Sequence, residues 1–209
     1  MITSYNQVAG RSLERIAALS DGVFAIAMTL IVLEIRVPDQ GPIRNEPELW
    51  AALVTLSPRL ITYLLSFLTL GIFWNAQQTQ LTHFARADRD LTWLQLAFLA
   101  MVALMPFSTS LLAEFISFRI ALLAYWVNIA LLGVVLYAAW SYALRTKLLR
   151  DETPPNTSRL VRRRIIGAQL LYAFGALLCV FSTYASIAFI VLVQLNFAIA
   201  PRVPWLSRI

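Results

Sequence analysis

Three polar residues stand at the start of an otherwise apolar stretch, and they are the first candidates for chemistry in this chain. The stretch "LERIAALSDGVFAIAMTLIVLEIRVP" runs from Leu13 to Pro38, and it exceeds the roughly 20 apolar residues that a helix needs to cross a bilayer. Arg15, Ser20 and Asp21 lie near its beginning. Charges at such a place are costly unless they are paired, so we expect them to serve function or architecture.

Arg15 and Asp21 cannot pair with each other on a regular helix. They are separated by about 120° around the helix axis and by about 9 Å along it. Each therefore needs a partner on another helix, a partner on another subunit, or contact with water. A plainer alternative for Arg15 is that its long side chain reaches the inner membrane boundary without a specific partner.

The same stretch carries a stripe of residues at helical spacing. At about 100° per residue, Gly22, Ile26, Thr29 and Leu33 fall within a sector about 60° wide. Such a stripe is more often a lipid-facing or packing surface than a pore lining. Glu34, about 100° from Leu33, has two equal interpretations, which are a cation-concentrating group at the outer mouth and a contact to a neighbouring helix.

The elements that must position these residues are membrane-spanning helices. The chain has 209 residues, of which 59% are hydrophobic and 13% charged, against about 45–50% and about 25% in soluble domains. We predict one all-α membrane domain, 1–209, and a first span that is retained as a helix. The six predicted spans are 16–35, 57–77, 91–112, 119–142, 165–182 and 184–200.

The distribution of basic residues predicts the orientation. If both termini are cytoplasmic, thirteen of the 17 Lys and Arg residues fall on the cytoplasmic side, as the positive-inside rule requires. The loop from Arg145 to Arg164 alone holds seven of them. We interpret the run "RLVRRR" (Arg159–Arg164) as a topology anchor near anionic lipid rather than as a nucleic-acid site, and "DETPPNTS" (Asp151–Ser158) as a flexible loop.

Several other functions find little support. Cys179 and His83 are the only residues of their types, so we expect neither a disulfide nor a cysteine or histidine metal site, and no cofactor. A secondary transporter or proton-coupled carrier is the main alternative, but it needs titratable residues near the midplane, where the spans offer none. A membrane enzyme would need its acids gathered beside a nucleophile, whereas the candidate acids are scattered: Asp21, Glu34, Asp88, Asp90 and Glu114. A non-conducting scaffold stays open.

The first span resembles the beginning of the bacterial transmembrane protein 175 family, whose signature is R-x-x-x-F-S-D. Arg15, Ser20 and Asp21 match this signature, and Leu19 replaces the Phe. The resemblance continues in Phe73-Trp74, in "ADRDLTWLQLAFLAMVALMPFSTSLL" (87–112) and in the number of spans. It covers the whole chain in order.

This resemblance implies a function and an assembly. Members of the family are potassium channels without a TVGYG filter, and they form tetramers with the first helix around a central pore. Their constriction positions correspond to Ile26, Thr29 and Leu33, three members of the stripe. We therefore expect a homotetrameric, modestly potassium-selective cation channel in a bacterial inner membrane, and not an enzyme. Ile26 and Leu33 would form apolar rings that gate by dewetting, and Thr29 would contact the ion.

The resemblance also implies a network that holds the pore helix at its cytoplasmic end. Arg15, Ser20 and Asp21 would form hydrogen bonds to other helices, with Trp74 and the residues after it as partners. The family carries a His pair and an Arg at the end of the second span, whereas this chain has Gln77, Gln78 and Thr79. Glutamine donates and accepts hydrogen bonds but does not titrate.

Overall fold

The described part of the chain is helical. The computed structural model describes residues 12–38, 41, 43–154 and 156–199, and no strand occurs among them. Two short 3-10 turns, Ile31–Glu34 and Leu178–Val180, each follow a longer α-helix. The helices are α1 (Leu13–Leu30), α2 (Glu46–Thr55), α3 (Ser57–His83), α4 (Arg89–Ala103), α5 (Met105–Glu114), α6 (Arg119–Arg145), α7 (Thr157–Leu177) and α8 (Thr183–Ile199).

Local side chains define where several of these helices begin. The Ser12 hydroxyl accepts from the backbone N–H of Arg15 at the start of α1 (3.3 Å), and the Asp88 carboxylate accepts from the N–H of Leu91 at the start of α4 (2.9 Å). Both bonds satisfy an amide that has no partner within the helix. The two helices closest to the predicted site therefore have starts that the sequence encodes locally.

Five of the six predicted spans are confirmed as helices long and apolar enough to cross a membrane. They comprise Leu13–Glu34, Ser57–His83, Arg89–Glu114, Arg119–Arg145 and Thr157–Val180. The sixth segment forms an apolar helix of 17 residues, Thr183–Ile199, which is shorter than a full span. Residue 200, the predicted end of the sixth span, lies outside the described residues. The count of six spans therefore stays a prediction.

The third span contains a break that its apolar pattern does not reveal. α4 ends at Ala103 and α5 begins at Met105, with Leu104 between them. Pro106, in the first turn of α5, has no N–H to continue the ladder of hydrogen bonds and its ring crowds the preceding turn. The two helices together still cover the predicted 91–112 segment.

The helix of the fifth span begins before the predicted membrane segment. α7 begins at Thr157 rather than near 165, so the basic run Arg159–Arg164 lies on its first turns, and Thr157 and Ser158 belong to the helix instead of the predicted loop. A hydropathy pattern detects only the apolar part of a helix, and charged first turns that extend toward water escape it. α3 likewise continues past Gln77 to His83.

Two groups of contacts lie at opposite ends of the helices. At one end, the N–H of Ala85 donates to the carbonyl of Leu148 (2.8 Å) and the N–H of Arg150 donates to that of His83 (2.9 Å). We call this the basic end, because several basic residues lie in or beside the α3–α4 and α6–α7 connections that these bonds join: Arg86, Arg89, Arg145, Lys147 and Arg150. At the other end, Arg59 reaches the carbonyl of Glu34, which follows α1 (3.0 Å). α1 therefore starts at the basic end.

Candidate pore-lining helix and its hydrogen-bond network

One face of α1 packs inside the subunit. Ile16, Ser20, Phe24 and Ala27 are buried, as is Ile31 in the 3-10 turn that follows. Their spacing of three or four residues is that of a single helix face, and this face lies against α4 and α3. The opposite face is thus free to meet something outside the subunit.

The predicted stripe lies on this opposite face. Gly22 and Thr29 are exposed, and Ile26 and Leu33 are 61% and 68% exposed. A Cβ added at Gly22 would meet no atom of the described chain within 4 Å, so a neighbouring helix has room to approach here. The stripe therefore does not pack within its own subunit, and what it faces is lipid, a pore or another copy.

Thr29 presents an oxygen on this face. Its hydroxyl donates to the backbone carbonyls of Ala25 (3.0 Å) and Ile26 (2.8 Å), a common arrangement for hydroxyls in membrane helices. A hydroxyl has one proton and two acceptor lone pairs. Because the proton points back into the helix, the exposed side of the oxygen is an acceptor, which is the polarity that a cation requires.

Asp21 is held by the second span. One of its oxygens, Oδ1, accepts from the Trp74 indole N–H and from the Gln78 side-chain amide, both at 2.8 Å. All three side chains are at least partly accessible. The carboxylate thus receives two donors from α3 without any titratable partner.

Ser20 lies in a second, buried part of the same network. The Gln77 amide donates to the Ser20 hydroxyl (3.1 Å) and to Gln95 Oε1 on α4 (2.8 Å), while the Ser20 hydroxyl donates to the carbonyl of Ile16 (2.8 Å). All three side chains are 2% exposed or less. α1, α3 and α4 are therefore tied together at one level, near the basic end.

Arg15 is not part of this network within the subunit. It is exposed, and its guanidinium makes no hydrogen bond or ion pair with any residue that the structure describes. On the helix it lies on the same side as the exposed stripe, about 20° from Gly22. A partner on another subunit, or contact with water or lipid headgroups, stays a prediction.

Glu34 contacts neighbouring helices at the opposite end. Ser110 donates to its Oε2 (2.9 Å), and Arg59 donates to its backbone carbonyl (3.0 Å) while also pairing with Glu114 (2.8 Å). Of the two interpretations of Glu34, the structure contains the contact to neighbouring helices. These bonds attach the end of α1 to α3 and α5.

Gln95 and Arg59 are the network residues that the sequence did not single out. Gln95 is an amide in the middle of an apolar span, and this is a usable signal, because such a group needs a hydrogen-bond partner in the membrane. Arg59 gave a weaker signal, since a basic residue at a span end is common. The identity of their partners was not accessible from spacing along the chain.

The scattered acids occupy separate structural positions. Asp88 and Asp90 both accept from the Tyr142 hydroxyl at the basic end (2.7 and 3.3 Å), whereas Glu114 pairs with Arg59 at the other. Within the described ranges, no group of three or more His, Cys, Asp or Glu residues is close enough to hold a metal ion. Each of these acids instead contacts a side chain of another helix.

Comparison with known proteins finds relatives of this chain. A family model described as "Endosomal/lysosomal potassium channel TMEM175" matches residues 15–106. A potassium channel of Chamaesiphon minutus is 30% identical over 189 residues, which cover 88% of this chain and 93% of the relative. The chain belongs to the TMEM175 family. A potassium channel of Streptomyces collinus is 37% identical over 142 residues, 66% of this chain and 67% of that relative.

The fold of this chain also matches that of a solved TMEM175 homolog. The crystal structure of a lysosomal potassium-selective channel TMEM175 homolog from Chamaesiphon minutus matches with a TM-score of 0.79 and 27% identity, covering 90% of this chain and 97% of that one. The resemblance read from the first and third spans is thereby confirmed, and the chain is a multi-pass membrane protein. The family-model match begins at Arg15 and ends at Pro106, so it contains every residue of the network at the basic end.

Proposed function

We propose that this protein is a potassium-preferring cation channel, assembled from four copies with α1 of each copy around a central axis. In this proposal residues 1–209 form a single channel domain with six spans, and both termini lie on the cytoplasmic side of a bacterial inner membrane. The basic end then faces the cytoplasm, in agreement with the positive-inside rule.

The exposed stripe on α1 is the observation that carries the proposal. A single helix cannot enclose a pore, so a conducting path along α1 needs several copies. Ile26 and Leu33 leave large apolar side chains uncovered, while the opposite face of α1 is fully committed to its own subunit. Gly22 leaves space for close approach, as small residues do between membrane helices. The descriptions of the two bacterial relatives as potassium channels support the same function.

Ion discrimination would depend on the cost of removing water. Rings of Ile26 and Leu33 offer no replacement for the hydration shell, and an unsolvated charge among apolar side chains is expensive. A K⁺ ion gives up its water more readily than Na⁺, so it passes such rings with less penalty. Thr29, between the two rings, would offer one acceptor oxygen per copy. We therefore propose modest rather than strict selectivity.

The network at the basic end would hold α1 at the angle that the pore requires. Ser20 and Asp21 fix one side of α1 to α3 and α4, and Glu34 fixes its other end. Arg15, which has no partner inside the subunit, would contact a neighbouring copy or the lipid headgroups. The pore helix is then anchored at both ends, with its constriction residues between the anchors.

A flux assay in vesicles tests the proposal directly. Purified protein in liposomes is given K⁺, Na⁺ or H⁺ gradients, and the currents are recorded under bi-ionic conditions, with protein-free liposomes as the control. We expect a linear current without a coupled gradient and a reversal potential that favours K⁺. A current that requires a proton gradient would support a carrier, and its observation would overturn the channel.

A further inference from the structure

An elongated cavity of about 590 Å³ lies between α3, α7 and α8, with Leu136 of α6 also in its wall. It extends along α3 from Phe67 to Gln80, which corresponds to about 20 Å of helix. One leaflet of a bilayer, with its headgroup region, is about 20–22 Å thick. The cavity therefore has the length of one leaflet, and its wall is mainly apolar, with Leu68, Ile72 and Ile165 among the lining residues.

An unpaired cation stands among the lining residues at the basic end. The Arg164 guanidinium lies 5.9 Å from the centre of the Phe197 ring, and both residues line the cavity. Arg164 is exposed and makes no hydrogen bond or ion pair with any described residue. A charge at the boundary of an apolar groove, without a counter-ion from its own chain, favours an anionic group at this position.

A buried amide oxygen provides a second, independent feature. Gln80 lines the same cavity and is 1% exposed. Its Nε2 donates to the carbonyl of Leu136 (3.1 Å), but its Oε1 has no partner. An unsatisfied buried acceptor is costly, and a small rotation of this amide toward the cavity would let a donor, such as a hydroxyl group of a lipid headgroup, satisfy it.

We propose that this cavity binds one acidic glycerophospholipid from the leaflet at the basic end. Its phosphate contacts Arg164, a headgroup hydroxyl donates to Gln80, and one acyl chain lies along α3 toward Phe67. The occupant is an amphiphile rather than a free anion, because the apolar wall continues well past the charged group.

The site adjoins the network that holds α1. Trp74 lines the cavity and also donates to Asp21. A bound acyl chain therefore restricts the indole that supports the pore helix. This consequence for conduction rests on the proposed function, whereas the binding itself does not, and it is measured without any ion flux.

Native mass spectrometry of the detergent-purified protein tests the headgroup contact. The protein is mixed with equal amounts of dioleoyl phosphatidylglycerol and dioleoyl phosphatidylcholine, and retained lipids are counted. We expect the wild type to prefer phosphatidylglycerol by about tenfold, because this lipid carries a net negative charge beside Arg164, whereas the choline ammonium of phosphatidylcholine offsets its phosphate charge. Arg164→Gln should reduce this ratio to about one, and Arg164→Lys should keep most of it.

Arg163→Gln is the matched control, because it removes the same charge from the neighbouring position. Arg163 faces a different surface of α7 and does not line this cavity. Its variant should retain the wild-type preference. An equal loss in both variants would mean that diffuse surface charge attracts the lipid, and it would overturn the proposal, as would an unchanged ratio in Arg164→Gln.

A second variant tests the acyl-chain contact. Gly71 lines the cavity, and a Cβ at this position meets no atom of the described chain within 4 Å. Gly71→Leu should therefore fill the groove without a clash inside the subunit and lower the retention of both lipids. Unchanged retention would contradict the proposal. A smaller oligomeric mass instead of lipid loss would show that a second copy occupies the groove, and would overturn it too.

Discussion

At the level of single residues, the Thr29 hydroxyl has its proton bound within the helix and its acceptor side exposed. Donation to the carbonyls of Ala25 and Ile26 is compatible with ion contact, because the donor and acceptor functions of a hydroxyl are separate. The backbone bond orients the oxygen instead of consuming it. A polar residue can thus lie between two apolar ones on a membrane helix without an unsatisfied donor.

We predict that Thr29→Ala lowers the preference for K⁺ over Na⁺ by about fivefold while conduction persists. The estimate takes about 1 kcal/mol as the value of a lost polar contact. Thr29→Ser keeps the oxygen and should retain the wild-type reversal potential under bi-ionic conditions. If the alanine and serine variants share the wild-type potential, Thr29 has only its backbone role.

Ile26 provides a sharper test of the pore. We expect Ile26→Asn to raise leak and to reduce discrimination between K⁺ and Na⁺, because amides in a constriction admit water and lower the dewetting barrier. Leu170→Asn on α7 is the control, since Leu170 is exposed to a similar extent (65% against 61%). It should affect expression or stability only, as a polar group facing lipid does.

Single-channel recording of both variants separates the pore from a lipid-facing surface. Wild-type conductance and selectivity in an assembled Ile26→Asn protein would remove Ile26 from the ion path. The interpretation of the whole stripe would then fail, because its other members share the same helix face.

For Asp21 we predict a structural effect. Asp21→Ala leaves the Trp74 and Gln78 donors without their acceptor, and each unsatisfied donor costs about 1–3 kcal/mol where water is excluded. Assembly or expression should fall, while the ion preference of the surviving channels stays the same. Size-exclusion chromatography and reversal potentials provide the two readouts, and an intact assembly with inverted ion preference would mean that Asp21 faces the pore.

At the level of helices, α1 is held by contacts from different helices at its two ends. Near the basic end the contacts come from α3 and α4 through Gln77 and Gln95. At the other end Glu34 contacts α3 and α5. The break at Leu104 lies between these levels, so α4 and α5 each contact one end of α1. A displacement of α3 would act on both ends of the pore helix, because α3 takes part in both sets of contacts.

We predict that Gln77→Leu lowers the free energy of unfolding by about 1–3 kcal/mol, because it leaves the buried Gln95 oxygen without its donor. The double variant Gln77→Leu, Gln95→Leu should recover much of this loss, since replacing both partners by apolar groups removes the unsatisfied atom. The midpoint of thermal unfolding in detergent measures both. Equal additive losses would mean that the bond does not couple the helices.

At the level of the whole molecule, the described part of the subunit leaves one face of α1 uncovered. Several polar groups inside it find partners: the Tyr125 hydroxyl contacts Ser66 (3.3 Å) and Thr69 (3.0 Å), and the Gln194 side-chain N–H donates to Thr69 from α8 (2.5 Å). The exposed face of α1 has no such complement in its own subunit. Many buried polar groups are thus paired inside the bundle, although some atoms such as Gln80 Oε1 are not, while the face with the predicted pore residues is left open.

We predict a homotetramer. The stripes of the four copies would face one central axis. Their apolar residues would then form rings around that axis, shielded from lipid. Mass measurement in a mild detergent should give about four times the 23.5 kDa of the chain, in agreement with closed symmetry for identical subunits. A stable monomer or dimer as the only species would contradict both the assembly and the pore.

The sequence by itself determined the features that depend on local period and composition. The apolar segments, the capped starts at Ser12 and Asp88, the stripe from Gly22 to Leu33 and the family signature can all be read from neighbours within a few turns. The tertiary structure decided the partners: Trp74 and Gln78 for Asp21, Gln77 for Ser20, and Ser110 for Glu34. These pairs are 53 to 76 residues apart along the chain, and only the packing of the helices brings them together. The same packing left the stripe uncovered. The sequence could not show this, because helical periodicity defines a face of a helix but not the surface that this face meets.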